Sequence, residues 1–211
     1  MRFPIRLSVM STVFYLVAAV GCAHEPMPHV GIDLSSPKSA AVSYLRAMSV
    51  GDLDSLKTAT VGTDADRKPA VAYSAMVVGM RRYDQALVAH FGIDAIRDDV
   101  ELKQKLMEMV EDRIERTQQG AVNETPEEAM VAPGLNGQAL GKRPPIFLRK
   151  ENGLWKVDLA ETAHRDSTLS PESAQRNQAI GDALQRIARE INRGKYKSYE
   201  EMQRDADAGM P

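Results

Sequence analysis

Residues 146–159 read IFLRKENGLWKVDL, and this stretch predicts a β-hairpin. Apolar and charged residues alternate on both sides of the Asn152-Gly153 dipeptide. An Asn-Gly pair readily adopts the positive φ angles that a two-residue type I′ turn requires. The position of this turn therefore determines which residues of the two predicted strands face each other.

The register sorts the side chains of the hairpin onto two faces. One face carries three cross-strand pairs: Ile146 with Leu159, Leu148 with Val157, and Lys150 with Trp155. The opposite face carries the charged residues Arg149, Glu151, Lys156 and Asp158, with Phe147 and Leu154 as apolar exceptions. A slip of one residue would move the apolar set to the charged face, so we expect this register and one buried face.

Helices are predicted for most of the remaining chain, because apolar residues recur at helical spacing. The serine-proline pairs Ser36-Pro37 and Ser170-Pro171 are typical of helix starts, and Asp64 or Asp66 is predicted to cap a third helix. The predicted helices cover residues 37–50, 52–57, 64–91, 94–119 and 171–193, and a short strand covers residues 128–132. We therefore expect an α+β fold.

The order of these elements resembles that of the NTF2-like superfamily, also known as the SnoaL-like or cystatin-like cone. The residues that carry the resemblance are AAVSYLRA at 40–47, Gly51-Asp52 and GLWKVD at 153–158, within a span of about 37–159. The resemblance implies a curved antiparallel sheet packed around helices, with a cone-shaped cavity, and the C-terminal helix is an addition. Two long helices between Asp66 and Gln119 depart from the family pattern, and a helical bundle with an attached β-hairpin is the alternative.

The N-terminus has the organisation of an export signal. Arg2 and Arg6 precede an uncharged stretch from Leu7 to Val20, which is too short to span a bilayer as a helix. The following residues 19–22, AVGC, resemble the lipobox of a bacterial lipoprotein. This resemblance implies cleavage before Cys22, diacylglycerol on its sulfur and a lipid-anchored location in the bacterial cell envelope, on the periplasmic or extracellular face. The alternative is a secretory signal cut near Gly21.

Composition narrows the classes of function. Cys22 is the only cysteine, so its acylation would leave no thiol nucleophile, no cysteine-ligated zinc and no disulfide. The chain has 27 basic and 29 acidic residues and lacks a basic run with interleaved aromatic residues, which argues against a nucleic-acid partner. Neither a cofactor nor a metal is predicted, since His24 and His29 form only a flexible pair.

These patterns predict five segments along the chain. Residues 1–21 are the lipoprotein signal peptide, and the proline- and serine-containing residues 22–36 are a flexible tether. Residues 37–160 form the NTF2-like domain, and residues 161–195 form a loop and an amphipathic C-terminal helix. Residues 196–211 form a polar tail. His164-Arg165-Asp166 is expected to lie in a solvated loop.

No catalytic motif is present, so candidate ligand-binding residues come from residue type and spacing alone. The candidates are Tyr73, Tyr83, His90 and Trp155, with Asp158 as an acid or base. Tyr83 and His90 are seven residues apart and lie on similar sides of one helix. The alternative is that Trp155 is a core residue and that His90 only favours the helix dipole.

The sequence therefore predicts a membrane-anchored, non-catalytic binding or interaction module. The first alternative is a carrier of a small apolar ligand, or an NTF2-like enzyme, with a cavity lined by Tyr, His and Asp residues. The second is assembly with an envelope protein partner through the C-terminal helix, whose narrow apolar stripe is typical of a helix-packing surface. The stripe consists of Ile180, Leu184, Ile187 and Ile191.

Overall fold

The computed structural model describes residues 29–92, 97–141 and 143–209, which form an α+β fold. Its helices are α1 (Pro37–Val50), α2 (Leu53–Thr58), α3 (Asp64–Phe91), α4 (Arg97–Gln119), α5 (Leu159–Arg165), α6 (Pro171–Asn192) and α7 (Tyr199–Gly209). Its strands are β1 (Thr60–Val61), β2 (Ala121–Glu124), β3 (Glu128–Ala132), β4 (Gly134–Leu135), β5 (Gln138–Ala139), β6 (Ile146–Glu151) and β7 (Leu154–Asp158).

Five of the strands form one open sheet in the order β1-β7-β6-β3-β2. The β7-β6, β6-β3 and β3-β2 pairs are antiparallel, whereas β1 runs parallel to β7. The sheet is therefore mixed at one edge, rather than entirely antiparallel as the NTF2-like resemblance implies. Strands β4 and β5 form a separate small hairpin.

The predicted hairpin register is confirmed where β6 and β7 pair. Leu148 lies opposite Val157 and Lys150 opposite Trp155, while Asn152 and Gly153 have φ angles of 53° and 79°. Strand β7 ends at Asp158, because the Asp158 carboxylate accepts a hydrogen bond from the Glu161 amide and starts α5. The predicted pairing of Ile146 with Leu159 is therefore wrong, although Leu159 is still buried in the core.

The apolar face of the hairpin forms the main core with α1. Trp155 is only 2% exposed, and the small residues Ala40, Ala41 and Ala47 let α1 lie close to the sheet. The Ser36 hydroxyl accepts a hydrogen bond from the Ser39 amide at the start of this helix, and Gly51 ends it with a φ of 78°. Burial of apolar surface between these two layers is the main force that holds the sheet to the helix.

A second core lies between α3, α6 and α7. The predicted stripe of the C-terminal helix packs here, since Ile187 and Ile191 are buried beside Leu87 of α3. The backbones approach closely at two glycines: a Cβ atom on Gly181 would lie 2.9 Å from the Ala75 carbonyl oxygen. A Cβ atom on Gly79 would lie 2.7 Å from the Gly181 carbonyl oxygen. Only glycine permits this crossing of α3 and α6.

The region predicted as a polar tail contains the ordered helix α7. Met202 of α7 and the preceding Tyr196 are buried in the second core. The Tyr196 hydroxyl lies 2.6 Å from a Glu190 carboxylate oxygen and 2.5 Å from an Asp205 carboxylate oxygen. The prediction of a polar tail is wrong. The segment has few apolar residues, so its sequence shows no clear apolar stripe, yet those few residues pack in the second core.

The predicted tether also differs from the structure, because residues 29–36 lie against the body. The Val30 amide donates to the Asp52 carboxylate at 3.0 Å, and the Leu34 carbonyl accepts from the Trp155 amide at 3.0 Å. The signal sequence, Cys22 and His24 lie outside the described residues. None of the helices in the described ranges combines the length and the apolar character that a membrane span requires.

We predict that Gly181→Val lowers the free energy of unfolding by about 2 kcal/mol, because the new side chain must displace the α3 backbone. Gly141→Val is the matched control, since no atom lies within 4 Å of a Cβ at that position. Urea denaturation of both variants provides the measurement. Equal midpoints for Gly181→Val and the parent would show that the two helices do not cross here.

Candidate functional site

An open cleft of about 800 Å³ lies on the outer face of the sheet, opposite the main core. Its floor follows one row of residues across three strands, because Asn123 lies opposite Met130 and Met130 lies opposite Phe147. Met130 and Phe147 provide the apolar part of this floor. The charged residues around the floor are Glu128, Arg149, Asp158, Glu161 and His164.

Helix α5 forms one wall of the cleft and is joined to the sheet by Thr162. The Thr162 hydroxyl accepts a hydrogen bond from the Phe147 amide at 3.1 Å and lies 3.4 Å from the Phe147 carbonyl oxygen. Strand β7 ends at Asp158, opposite this part of β6, and the chain continues as α5. The Thr162 hydroxyl therefore accepts the hydrogen bond that a backbone carbonyl of a neighbouring strand would otherwise accept. Thr162 is 1% exposed, and its contact fixes the wall relative to the floor.

Some of the charged side chains in the cleft form ion pairs, and others do not. The Arg149 guanidinium lies 2.6 Å from the Asp158 carboxylate, whose other oxygen caps α5. Glu161 lies 3.5 Å from Arg165, within its own helix. Glu128 lies opposite Arg149 in the sheet, but within the described part of the chain its carboxylate makes no hydrogen bond or ion pair. The rim therefore offers acidic groups to an incoming ligand.

Asp158 is already engaged by other groups of the protein. Asp158, the sequence-predicted acid or base, does lie in the cleft, but both of its oxygens have partners. A general base needs a free oxygen or nitrogen within hydrogen-bonding distance of a reacting group. Among the described residues, no group of three or more His, Cys, Asp or Glu side chains is arranged to hold a metal ion.

None of the four sequence-predicted ligand-binding residues lines this cleft. Trp155 is in the main core on the opposite face of the sheet, with the Lys150 ammonium 5.0 Å from its ring centre. Tyr83 and His90 lie at the second core, where the Tyr83 hydroxyl contacts the Met202 sulfur and the His90 ring contacts the Tyr196 carbonyl. Tyr73 packs against the main core.

Tyr73 belongs to a buried cluster that the sequence did not predict. The Arg113 guanidinium lies 2.9 Å from the Asp166 carboxylate, and burial raises the pKa of both Tyr44 and Tyr73. The Tyr44 hydroxyl is buried and has no hydrogen-bond partner among the described residues. The expectation that His164-Arg165-Asp166 is a solvated loop is wrong, because His164 and Arg165 end α5 and Asp166 is buried.

The residues of the cleft left only weak signals in the sequence. Phe147 was an apolar exception on the charged face of the hairpin, and this exception marked the floor. Met130 lies in the predicted strand 128–132, but its neighbour across the sheet depends on the pairing of β3 with β6. The sequence predicts a loop at Glu161 and His164, so it gives no indication of the helical wall.

Comparison of the chain with known protein families, with curated proteins and with solved structures finds no match to any of them.

We predict that Thr162→Val lowers the free energy of unfolding by about 1–3 kcal/mol, because the partly buried Phe147 amide loses its hydrogen-bond acceptor. Thr58→Val is the matched control, since the Thr58 side chain is exposed at the end of α2. Thermal or urea unfolding of both variants measures the difference. Equal losses in the two variants would contradict the structural role of the Thr162 hydroxyl.

Proposed function

We propose that this protein is a lipid-anchored binding module of the bacterial cell envelope and that the outer cleft of its sheet is the binding site. The observation that carries this proposal is an open cleft with an apolar floor and acidic groups at its rim, among them an unpaired Glu128. Apolar surface supplies affinity, and unpaired charges supply specificity and speed of encounter. In this proposal the protein is non-catalytic.

The positions of the sequence-predicted residues support binding without catalysis. Tyr73 and Trp155 lie at the main core and Tyr83 and His90 at the second core, so the four residues do not meet in the cleft. An acid-base site needs such groups within hydrogen-bonding reach of one substrate. Their separation removes the constellation that the enzymatic alternative required.

The proposed anchor would hold the body near the membrane. Cys22 precedes His29 by seven residues, and the His29 ring nitrogen lies 2.7 Å from the Asp52 carboxylate of the body. A fully extended chain spans at most about 3.5 Å per residue, so this separation allows at most about 25 Å. A module at this distance would meet partners at the membrane surface rather than far from it.

The NTF2-like relationship remains part of this proposal. In its support, α1, Gly51-Asp52 and α2 are followed later by the β6-β7 hairpin, in the order that the resemblance implies. The parallel strand β1 and the paired helices α3 and α6 are the differences from the implied cone. An envelope partner at the C-terminal helix would contact its polar side, because Ile187 and Ile191 pack within the chain.

A second candidate function is the carriage of a small ligand in the main body. The specific observation in its favour is the buried Tyr44 hydroxyl without a partner, beside Tyr73 and the Arg113-Asp166 ion pair. A buried polar group without a hydrogen bond is costly and is sometimes retained for a functional reason. The outer cleft remains the preferred site because it is accessible.

We predict that the full-length protein expressed in bacteria loses residues 1–21 and carries fatty acids on Cys22. Intact-mass spectrometry should detect the added lipid, and the protein should fractionate with membranes. Cys22→Ser should abolish both properties, because only the cysteine sulfur accepts diacylglycerol. Ala23→Ser retains the cysteine and is the control. A parent protein without fatty acid would overturn the anchored part of the proposal.

A further inference from the structure

We propose that the outer cleft binds an extended polypeptide segment that carries lysine or arginine side chains. This inference rests on the proposed role of the cleft as the binding site. It names the chemical class of the ligand from the charge, the floor and the openness of the cleft.

The charge of the cleft favours a cationic ligand. Three carboxylates line it, on Glu128, Asp158 and Glu161, and Glu128 is the one that has no partner within the described part of the chain. The other two carboxylates are already paired with guanidinium groups, Asp158 with Arg149 and Glu161 with Arg165, and His164 also lines the cleft. Glu128 is therefore the carboxylate that remains for a ligand, and it would attract an ammonium or guanidinium group.

The floor suits the long side chains that carry such groups. Lysine and arginine have aliphatic stems that pack on apolar surface while their charged ends remain in water or reach a carboxylate. Met130 and Phe147 are partly exposed and provide that surface. One contact between a basic side chain and this floor is present within the protein itself: the Arg165 guanidinium lies 5.8 Å from the centre of the Phe147 ring. A cation from a ligand would meet the same kind of aromatic surface.

The open shape of the cleft favours a polypeptide over a small molecule. Small-molecule sites usually enclose most of the surface of their ligand. This cleft is lined from four strands and one helix and remains open to solvent, so a small cation would stay largely hydrated. An extended chain places several side chains on such a surface at once, and their contacts add together.

The test measures binding of two labelled hexapeptides to the full-length protein in non-ionic detergent. One peptide alternates lysine with alanine, and the other alternates glutamate with alanine. Fluorescence anisotropy should show binding of the lysine peptide, and this binding should weaken as the salt concentration rises, since charges at an exposed surface are screened. The glutamate peptide should not bind.

Matched charge reversals locate the binding site. Glu128→Lys with Glu161→Lys should weaken binding of the lysine peptide by about tenfold or more, because two attractive charges become repulsive. Glu111→Lys with Glu115→Lys changes the net charge equally on exposed positions of α4, outside the cleft, and should change the Kd by less than about twofold. Circular dichroism melting shows whether each variant is folded.

Three results would overturn the inference. Equal binding of the two peptides, or no binding of the lysine peptide, would exclude a basic ligand for the cleft. An equal loss in both charge-reversed variants would mean that net charge alone attracts the peptide. None of these results depends on the lipid, whose presence is measured by mass, so failure of the anchor and failure of this inference are distinguishable.

Discussion

The register imposed by the Asn152-Gly153 turn determines how every layer of the main body is arranged. With this register, Trp155 and Leu148 face α1 and form the core, while Phe147 faces outward. A shift of one residue would exchange these faces, and a large apolar surface would move into water. The same interaction that stabilises the sheet therefore also produces its open outer face. Fold and candidate site share one physical cause.

The end of β7 is the second constraint, because it places a helix beside that open face. Asp158 caps α5 and pairs with Arg149, so one carboxylate both ends the strand and positions a charge at the cleft. Thr162 then satisfies the Phe147 amide that the strand no longer reaches. These contacts engage both oxygens of Asp158, whereas the Glu128 carboxylate at the rim makes no hydrogen bond or ion pair within the described part of the chain.

Local signals explain what the sequence predicted well, and distant contacts explain what it missed. The hairpin turn and the helix start at Ser36 depend on neighbouring residues, so their chemistry is visible in the sequence. The third helix is capped by Thr63, one residue before the predicted Asp64. The two-residue strand β1, helix α7 and the burial of Asp166 depend on partners far along the chain. Of the residues that line the cleft, the sequence predicted only Asp158 as a functional residue. The cleft forms where strands distant in sequence pair, and no local sequence pattern indicates that pairing.

The sheet has one face buried in the main core and one face open to solvent. Hydroxyl-radical footprinting of the full-length protein, read by mass spectrometry of its methionines, tests this claim most directly. Met109 is 63% exposed, Met130 lies partly exposed in the cleft, and Met48 and Met202 are 5% and 0% exposed in the cores. The oxidation rates should therefore decrease from Met109 to Met130 and then to the two core methionines. Oxidation of Met130 as slow as that of Met48 would contradict the account, because the outer face would then be covered.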